Sequence, residues 1–289
     1  MKEKAVLKSI LKKRAAQFVK PFKRVRLGFT SKQFEGARIE SNRLREALSI
    51  FESYFSPRVR VETDLALQRL SGPLEEARTR NISFLLLKRF VQEEKNSDVR
   101  QKTEEILKEV EAVYEKSFQK AAKQLKHIKP KKVAKTLLDD FKPSEDFEFK
   151  SLTKQLNQSR EKLFNQIVRL IRSSQKEELS ELQSQSEKFC YLLELAVEAG
   201  YEKGKRLLQI VRVLNERLIE IHDEEKFREF IQNLEKERAI SSERVSDIVR
   251  LRTIRNRLAV FQAHSLQALH AHLPVSLQFL KRHLVWKEN

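Results

Sequence analysis

The chain has little that would break a helix. Its 289 residues include 5 glycines and 6 prolines, and its β-branched content is modest. Leu, Lys, Glu, Gln and Arg dominate, all of them good helix formers, so the expected fold class is all-α. Cysteine is nearly absent. The lone Cys190 excludes an intrachain disulfide framework and fits a reducing cytoplasm. No apolar run approaches the roughly 20 residues of a membrane span. The N-terminal MKEKAVLKSILKKRAAQFVK lacks the unbroken apolar stretch of a secretory signal. It is basic and amphipathic, which leaves a transit peptide as the lesser alternative. There is no glycine-rich phosphate loop and no Rossmann fingerprint. Neither an enzyme nor a cofactor is expected.

What is present is a repeat at half the chain length. At an offset of 145, Phe34, Ala37, Ser41, Leu44 and Leu48 fall on Leu179, Leu182, Ser186, Phe189 and Leu193. Both sets advance by steps of three and four, the stripe of a helix that buries one face in a bundle. A second match, at offset 144, sets ARTRNISFLLLKRF from Ala77 against IHDEEKFREFIQNL from Ile221. The expectation is one domain over 1–289. It would contain two pseudo-symmetric antiparallel four-helix bundles, 1–142 and 146–289, related by the repeat.

Punctuation sets the expected elements. A first helix covers about 4–20 and stops at Pro21. A loop containing Gly28 leads to a second, about Ser31 to Phe55. A third region, about 61–94, should kink or restart at SGP, 71–73. Ser97 should cap a helix running to about Lys126. The stretch IKPKKVAKTLLDDFKPSED at 128–146 reads as a linker. Further helices are expected at about 149–173, 176–199 (closed by Gly200), 202–221, 223–238 and 241–271, with a short one after Pro274.

The formal charge of +18 is uneven, +14 over residues 1–145 and +4 over 146–289. Such a field attracts polyanions: nucleic acid, polyphosphate, anionic lipid or an acidic protein. Arg38 and Arg45, seven apart, lie nearly eclipsed at the edge of the apolar stripe and about 10 Å apart along the helix. A guanidinium there keeps its stem against the core and turns its fork toward phosphate oxygens. That separation suits an extended polyanion better than one small phosphate. Arg43 adds charge on a neighbouring face. The competing reading is a solvated helix edge whose arginines pair with Glu35, Glu40 or Glu46.

RIESNRLREAL, from Arg38, resembles the signature helix of the CHAD family, the conserved histidine α-helical domain. The family pattern is roughly H-x-x-R-V-x-x-R-R-L-R-x-x-L. Arg38, Arg43, Leu44 and Arg45 match it, Glu35 stands at the histidine, and Asn42 replaces an arginine. LSGPLEEARTRNISFLLL at 70–87 is similar to a second family segment, with Arg78 on its arginine and Thr79 for its aspartate. SELQSQSEKFCYLLEL, from Ser180, resembles the signature of the family's second repeat. It keeps Lys188 and Tyr191, with Ser180, Gln183 and Cys190 in place of a histidine and two arginines. LNERLIEIHD at 214–223 retains His222 and Asp223 of the closing motif. The resemblance runs from about Ser31 to Leu234. It implies two pseudo-symmetric helical bundles around a basic cavity that binds inorganic polyphosphate or a similar polyanion. The implied contacts are Arg38, Arg43, Arg45, Arg78, Lys188 and His222.

The remaining signals are weaker. Lys126, Lys129, Lys131, Lys132 and Lys135 read either as a solvated connection or as a polyanion-contacting loop. Arg250 and Arg257 repeat the seven-residue spacing, with Arg252 and Arg255 beside them, and Glu243 or Asp247 could neutralise them. His264, His270 and His272 lack the carboxylates or thiols of a zinc set, so no metal is expected. His222 and Asp223 diverge by about 100° on a helix and make a poor acid-base dyad. Two readings stand beside polyphosphate binding. One is a nucleic-acid-binding module. The other is a structural or interaction protein that has lost its ligand site.

Overall fold

The computed structural model describes residues 2–22, 31–142, 150–173, 176–240 and 245–282. Among them are nine α-helices, one 3-10 turn and no strand. The helices are α1 (Lys2–Phe22), α2 (Ser31–Ile50), α3 (Pro57–Glu93), α4 (Ser97–Lys126), α5 (Pro130–Asp140), α6 (Lys150–Ser173), α7 (Lys176–Glu198), α8 (Gly204–Ile240) and α9 (Val245–Arg282). Consecutive helices pack as neighbours from α1 to α4 and again from α6 onward, while α5 packs on α1 and α3. The two sets meet where α2 lies against α6 and α7, α3 against α8, and α4 against α9. One large core draws on residues from both sets, and a smaller one gathers Leu87, Ile106, Phe227 and Leu251 at the far ends of α3, α4, α8 and α9.

The apolar stripes account for this packing. Phe34, Ala37, Ser41, Leu44 and Leu48 are buried on α2. On α7, Leu182, Ser186, Phe189 and Leu193 are buried and Leu179 is half-buried. Full burial of one such Leu or Phe stabilises by about 1.5–3 kcal/mol. Serine at the shared position bonds into its own helix on α2, where the Ser41 hydroxyl donates to the Ala37 carbonyl at 2.6 Å. Gly200 closes α7 with φ 104°, the left-handed value glycine tolerates. Tyr201 N–H then donates to the Ala196 carbonyl and Gly200 N–H to that of Val197, a Schellman end.

Several expected boundaries move. Pro73 does not restart the helix: α3 runs through it. A proline inside a helix costs about 3 kcal/mol. The burial of Leu70, Leu74 and Ala77 in one row keeps the two turns in phase. Likewise α9 continues through Pro274, with Leu269, Leu273 and Leu280 buried around it, and α1 reaches Phe22 past Pro21. The expected break near 222 is absent, because no glycine or proline interrupts 205–240. α2 ends early at Ile50, followed by the 3-10 turn Glu52–Tyr54. Asn96, not Ser97, caps α4, accepting from the amides of Asp98 and Val99.

The expected linker is largely a helix. Pro130 sits in the first turn of α5, where its fixed φ is already helical. Ala134 and Leu137 are buried against α1 and α3. Phe141 closes an aromatic cluster with Phe51, Tyr54 and Phe55 at 5.3–6.0 Å. The Asp140 carboxylate accepts from the Ser56 amide at 2.7 Å. Residues 143–146 of that segment, the loop at Gly28 and the side chain of Arg250 lie outside the described residues.

Candidate functional site

Between α2 and α3 lies a cavity of about 330 Å³, walled by Arg38, Ser41 and Asn42 on one side and by Ser71, Gly72 and Glu75 on the other. Ser71 and Gly72 are exposed at the SGP segment. Arg45 stands one seven-residue step along α2 from Arg38 and is half-buried. Its Nε is 3.5 Å from an exposed Asp64 carboxylate on α3, a weak surface pair. Lys188 reaches the same end from α7. It is exposed, and its charge and that of Arg45 both act on the Glu46 carboxyl, whose pKa burial nonetheless raises.

The other basic residues are held by carboxylates of the protein itself. Glu35 grips Arg38 in a fork, 2.8 Å to Nη2 and 3.3 Å to Nε. Burial works against the Arg38 charge, and the Glu35 hydrogen bond and charge more than offset it, so its pKa is raised. Arg78 has 8% of its side chain exposed. It donates to Asp223 on α8 at 2.5 Å and to Glu75 at 3.3 Å, and its Nε is 3.7 Å from Glu35. Burial pushes the Asp223 carboxyl up to about 6 despite that pairing. His222 is half-buried. Burial, then the charges of Arg78 and Lys226, lower its pKa and keep it neutral.

Arg43 belongs to a different cluster. It donates to Glu40 at 2.7 Å and to Glu194 at 2.8 Å, and its guanidinium lies 5.9 Å from the Tyr191 ring centre. Glu194, on α7, is 6% exposed and also accepts from Arg212 of α8 at 2.9 Å. Arg14 of α1 is 3.5 Å away. One carboxylate thus ties four helices together. Burial raises its pKa, and Arg43, Arg212 and Arg14 together bring it below the usual range. Sequence reasoning missed Arg14, Glu194 and Arg212. A signal was present: Glu194 is the lone charge within CYLLELAV, and a charge in an apolar run must find partners. Cys190, beside it, is buried, and burial pushes its thiol up to about 12, far from a reactive thiolate.

Two arginines of the α9 patch are held by carboxylates of other helices, while Glu243 and the side chains of Asp247 and Arg250 lie outside the described residues. Arg255 pairs with Glu235 of α8 at 2.7 Å, and Arg257 with the buried Glu94 at the end of α3. Among the described residues, no three His, Cys, Asp or Glu side chains are placed to hold a metal ion, and no helix is long and apolar enough to cross a membrane.

A model of the CHAD domain matches residues 9–232. The chain belongs to the CHAD-domain family. No curated protein matches it. Solved structures share its fold, two of them as follows. A CHAD domain from the plant Ricinus communis aligns at a TM-score of 0.70 with 17% identity, covering 93% of this chain and 90% of that one. PptA from Streptomyces chartreusis aligns at 0.62 with 12% identity, covering 95% and 98%. The segment that resembles the CHAD signature lies on α2. In this chain Glu35, at the histidine position of the family pattern, is the residue that grips Arg38. The closing-motif aspartate, Asp223, grips Arg78.

Proposed function

We propose that this CHAD domain is a non-enzymatic module that binds inorganic polyphosphate along α2. The observation that carries the proposal is the open polar cavity at Arg38, with Asn42 next to it and Arg45 at the following turn. Arg38, Arg45 and Lys188 are the contacting cations in this reading. A phosphate chain takes the place of Glu35 on Arg38 and of Asp64 on Arg45. Ser41, Asn42 and Ser71 supply neutral hydrogen-bonding groups to a chain lying between them. Arg43, Arg78 and His222 act one layer further in. The two arginines hold α7 and α8 in place through Glu194 and Asp223, and neutral His222 lines that layer. The family's association with polyphosphate supports the ligand. The ion pairs support the idea that the site is attenuated, because each contact is made in exchange for an internal one.

Titration of long-chain polyphosphate at two ionic strengths tests this. Binding that weakens steeply with salt is expected, since neutralised phosphates release counterions. No binding at low salt would sink it. The second reading, an interaction protein without this ligand, is favoured by the grip of Glu35 on Arg38, and the same null result would select it.

A further inference from the structure

The lysines of α4 and α5 are arranged unlike the arginines. Residues 116–135 contain eight lysines and no acidic residue. All eight are exposed: Lys116, Lys120, Lys123 and Lys126 on α4, Lys129 at the turn, and Lys131, Lys132 and Lys135 on α5. None of them forms an ion pair with a described residue. Lys116, Lys120 and Lys123 recur at steps of four and three and share one face of α4. From Lys116 to Lys126 the row extends about 15 Å.

Local stability accounts for only some of these charges. Lys123 and Lys126 in the last turn of α4 do complement its dipole. At α5 the relation is reversed. Lys129, Lys131 and Lys132 crowd the positive end of the helix, which has no acidic residue in its first turn and no side-chain cap. Self-repulsion there calls for a counter-charge from outside. The surroundings narrow its kind. The aromatic residues next to this face point inward: Phe118 lies 4.2 Å from Phe34, and Tyr114 stacks on Phe84 at 5.4 Å. No stacking platform for unpaired bases is offered. None of the exposed large hydrophobic residues falls within 116–135, so no side chain there would enter a bilayer. Eight point charges spread over two outer helices match a stiff polyanion that presents phosphates over an area. Duplex nucleic acid presents one charge per about 1.7 Å of axis.

We infer that the α4–α5 lysine face binds duplex nucleic acid through its phosphate backbone, without reading sequence. The inference does not rest on the polyphosphate reading, which concerns the α2–α3 cavity. The test uses the full chain, a fluorescent 25-base-pair DNA duplex of arbitrary sequence and a salt series. In the variant with Lys120→Gln, Lys123→Gln, Lys131→Gln and Lys132→Gln, affinity should fall at least about tenfold. The slope of log affinity against log salt should shrink by about 3–4, at about 0.9 per lost contact. Lys→Arg at the same four positions should retain both, and scrambling the duplex should change neither. Arg38→Ala with Arg45→Ala should leave duplex binding within about twofold. The inference is overturned if the wild type does not bind the duplex at low salt, if the Gln variant keeps the wild-type slope, or if the arginine variant is the one that loses the duplex. Capture of anionic vesicles by the wild type without capture of duplex would also overturn it.

Discussion

The α2–α3–α7–α8 seam and the α4–α5 face are both rich in positive charge, and they differ in what that charge is bound to. Along the seam, Arg38, Arg43 and Arg78 are wholly or partly buried, and each is held by at least one carboxylate of the protein. On the α4–α5 face the lysines are exposed and lack ion-pair partners among the described residues. Residue type explains the division. A planar guanidinium can be buried if a carboxylate matches its fork, whereas an ammonium keeps its hydration and stays outside. A formal charge of +18 therefore overstates what the seam offers a ligand and understates how far the remainder is concentrated.

The largest effect that would break this comparison is on stability. Glu194→Gln should destabilise the fold by about 3 kcal/mol. It removes the carboxylate that Arg43 and Arg212 share and weakens the counter-charge of the 3%-exposed Arg14, which then depends on Glu198 alone at 3.2 Å. Urea denaturation measures this directly. A loss under about 1 kcal/mol would mean that the four-helix cluster is ornamental.

Next in size is the ligand effect. Arg38→Ala with Arg45→Ala should cost about 2–4 kcal/mol of polyphosphate binding, at about 1–2 per charge-assisted contact. Lys188→Ala should cost well under half as much, since it supplies one ammonium. Comparable losses would move the site toward α7.

Asp223 sharpens the comparison through pH. Its folded value of about 6 lies above the ordinary aspartate value of about 3.9. The folded state therefore holds its proton more tightly, and this group's contribution to stability is largest below about pH 4. It is lost as pH rises through about 6, a change of up to about 3 kcal/mol. The stability of the wild type minus that of Asp223→Asn should thus fall between pH 4 and 6. A difference that grows over that range would mean that Arg78 outweighs burial.

Parts of this were legible in the sequence and parts were not. The stripes of α2 and α7 were legible because periodicity reports burial directly, and the CHAD motif could be found because its residues lie on single helices. Breaks were over-read at Pro73, Pro274 and 222, where buried rows carry a helix past a weak or absent local signal. The segment 130–140 looked like a linker because its lysines and Pro130 obscure the short apolar row of Ala134 and Leu137. The ion pairs were the least legible. Arg78 and Asp223 are 145 residues apart, and Arg43 and Glu194 are 151 apart. Only the packing of α3 on α8 and of α2 on α7 brings them together. Local spacing did point to Glu35 for Arg38 and Glu40 for Arg43.

The smallest expected effect is on the lysine face. Lys132→Gln should change stability by less than about 0.5 kcal/mol, and in the stabilising direction, because it removes a cation from the positive end of α5. Thermal unfolding resolves the sign. A clear loss of stability would show that this lysine is engaged after all.

In the proposed function, the cation best placed to meet a ligand on α2, Arg38, is already held by the protein's own carboxylate, Glu35. Glu35→Gln tests it most directly, by polyphosphate titration of the full chain at low salt beside the wild type. The variant keeps the side chain's size, removes the competing charge and leaves Arg38 in place. Binding should tighten about 3- to 10-fold, because one exposed-side ion pair worth about 1 kcal/mol no longer has to be exchanged. Unchanged or weaker binding would contradict it, and would mean that Arg38 either lies outside the site or depends on Glu35 for its orientation.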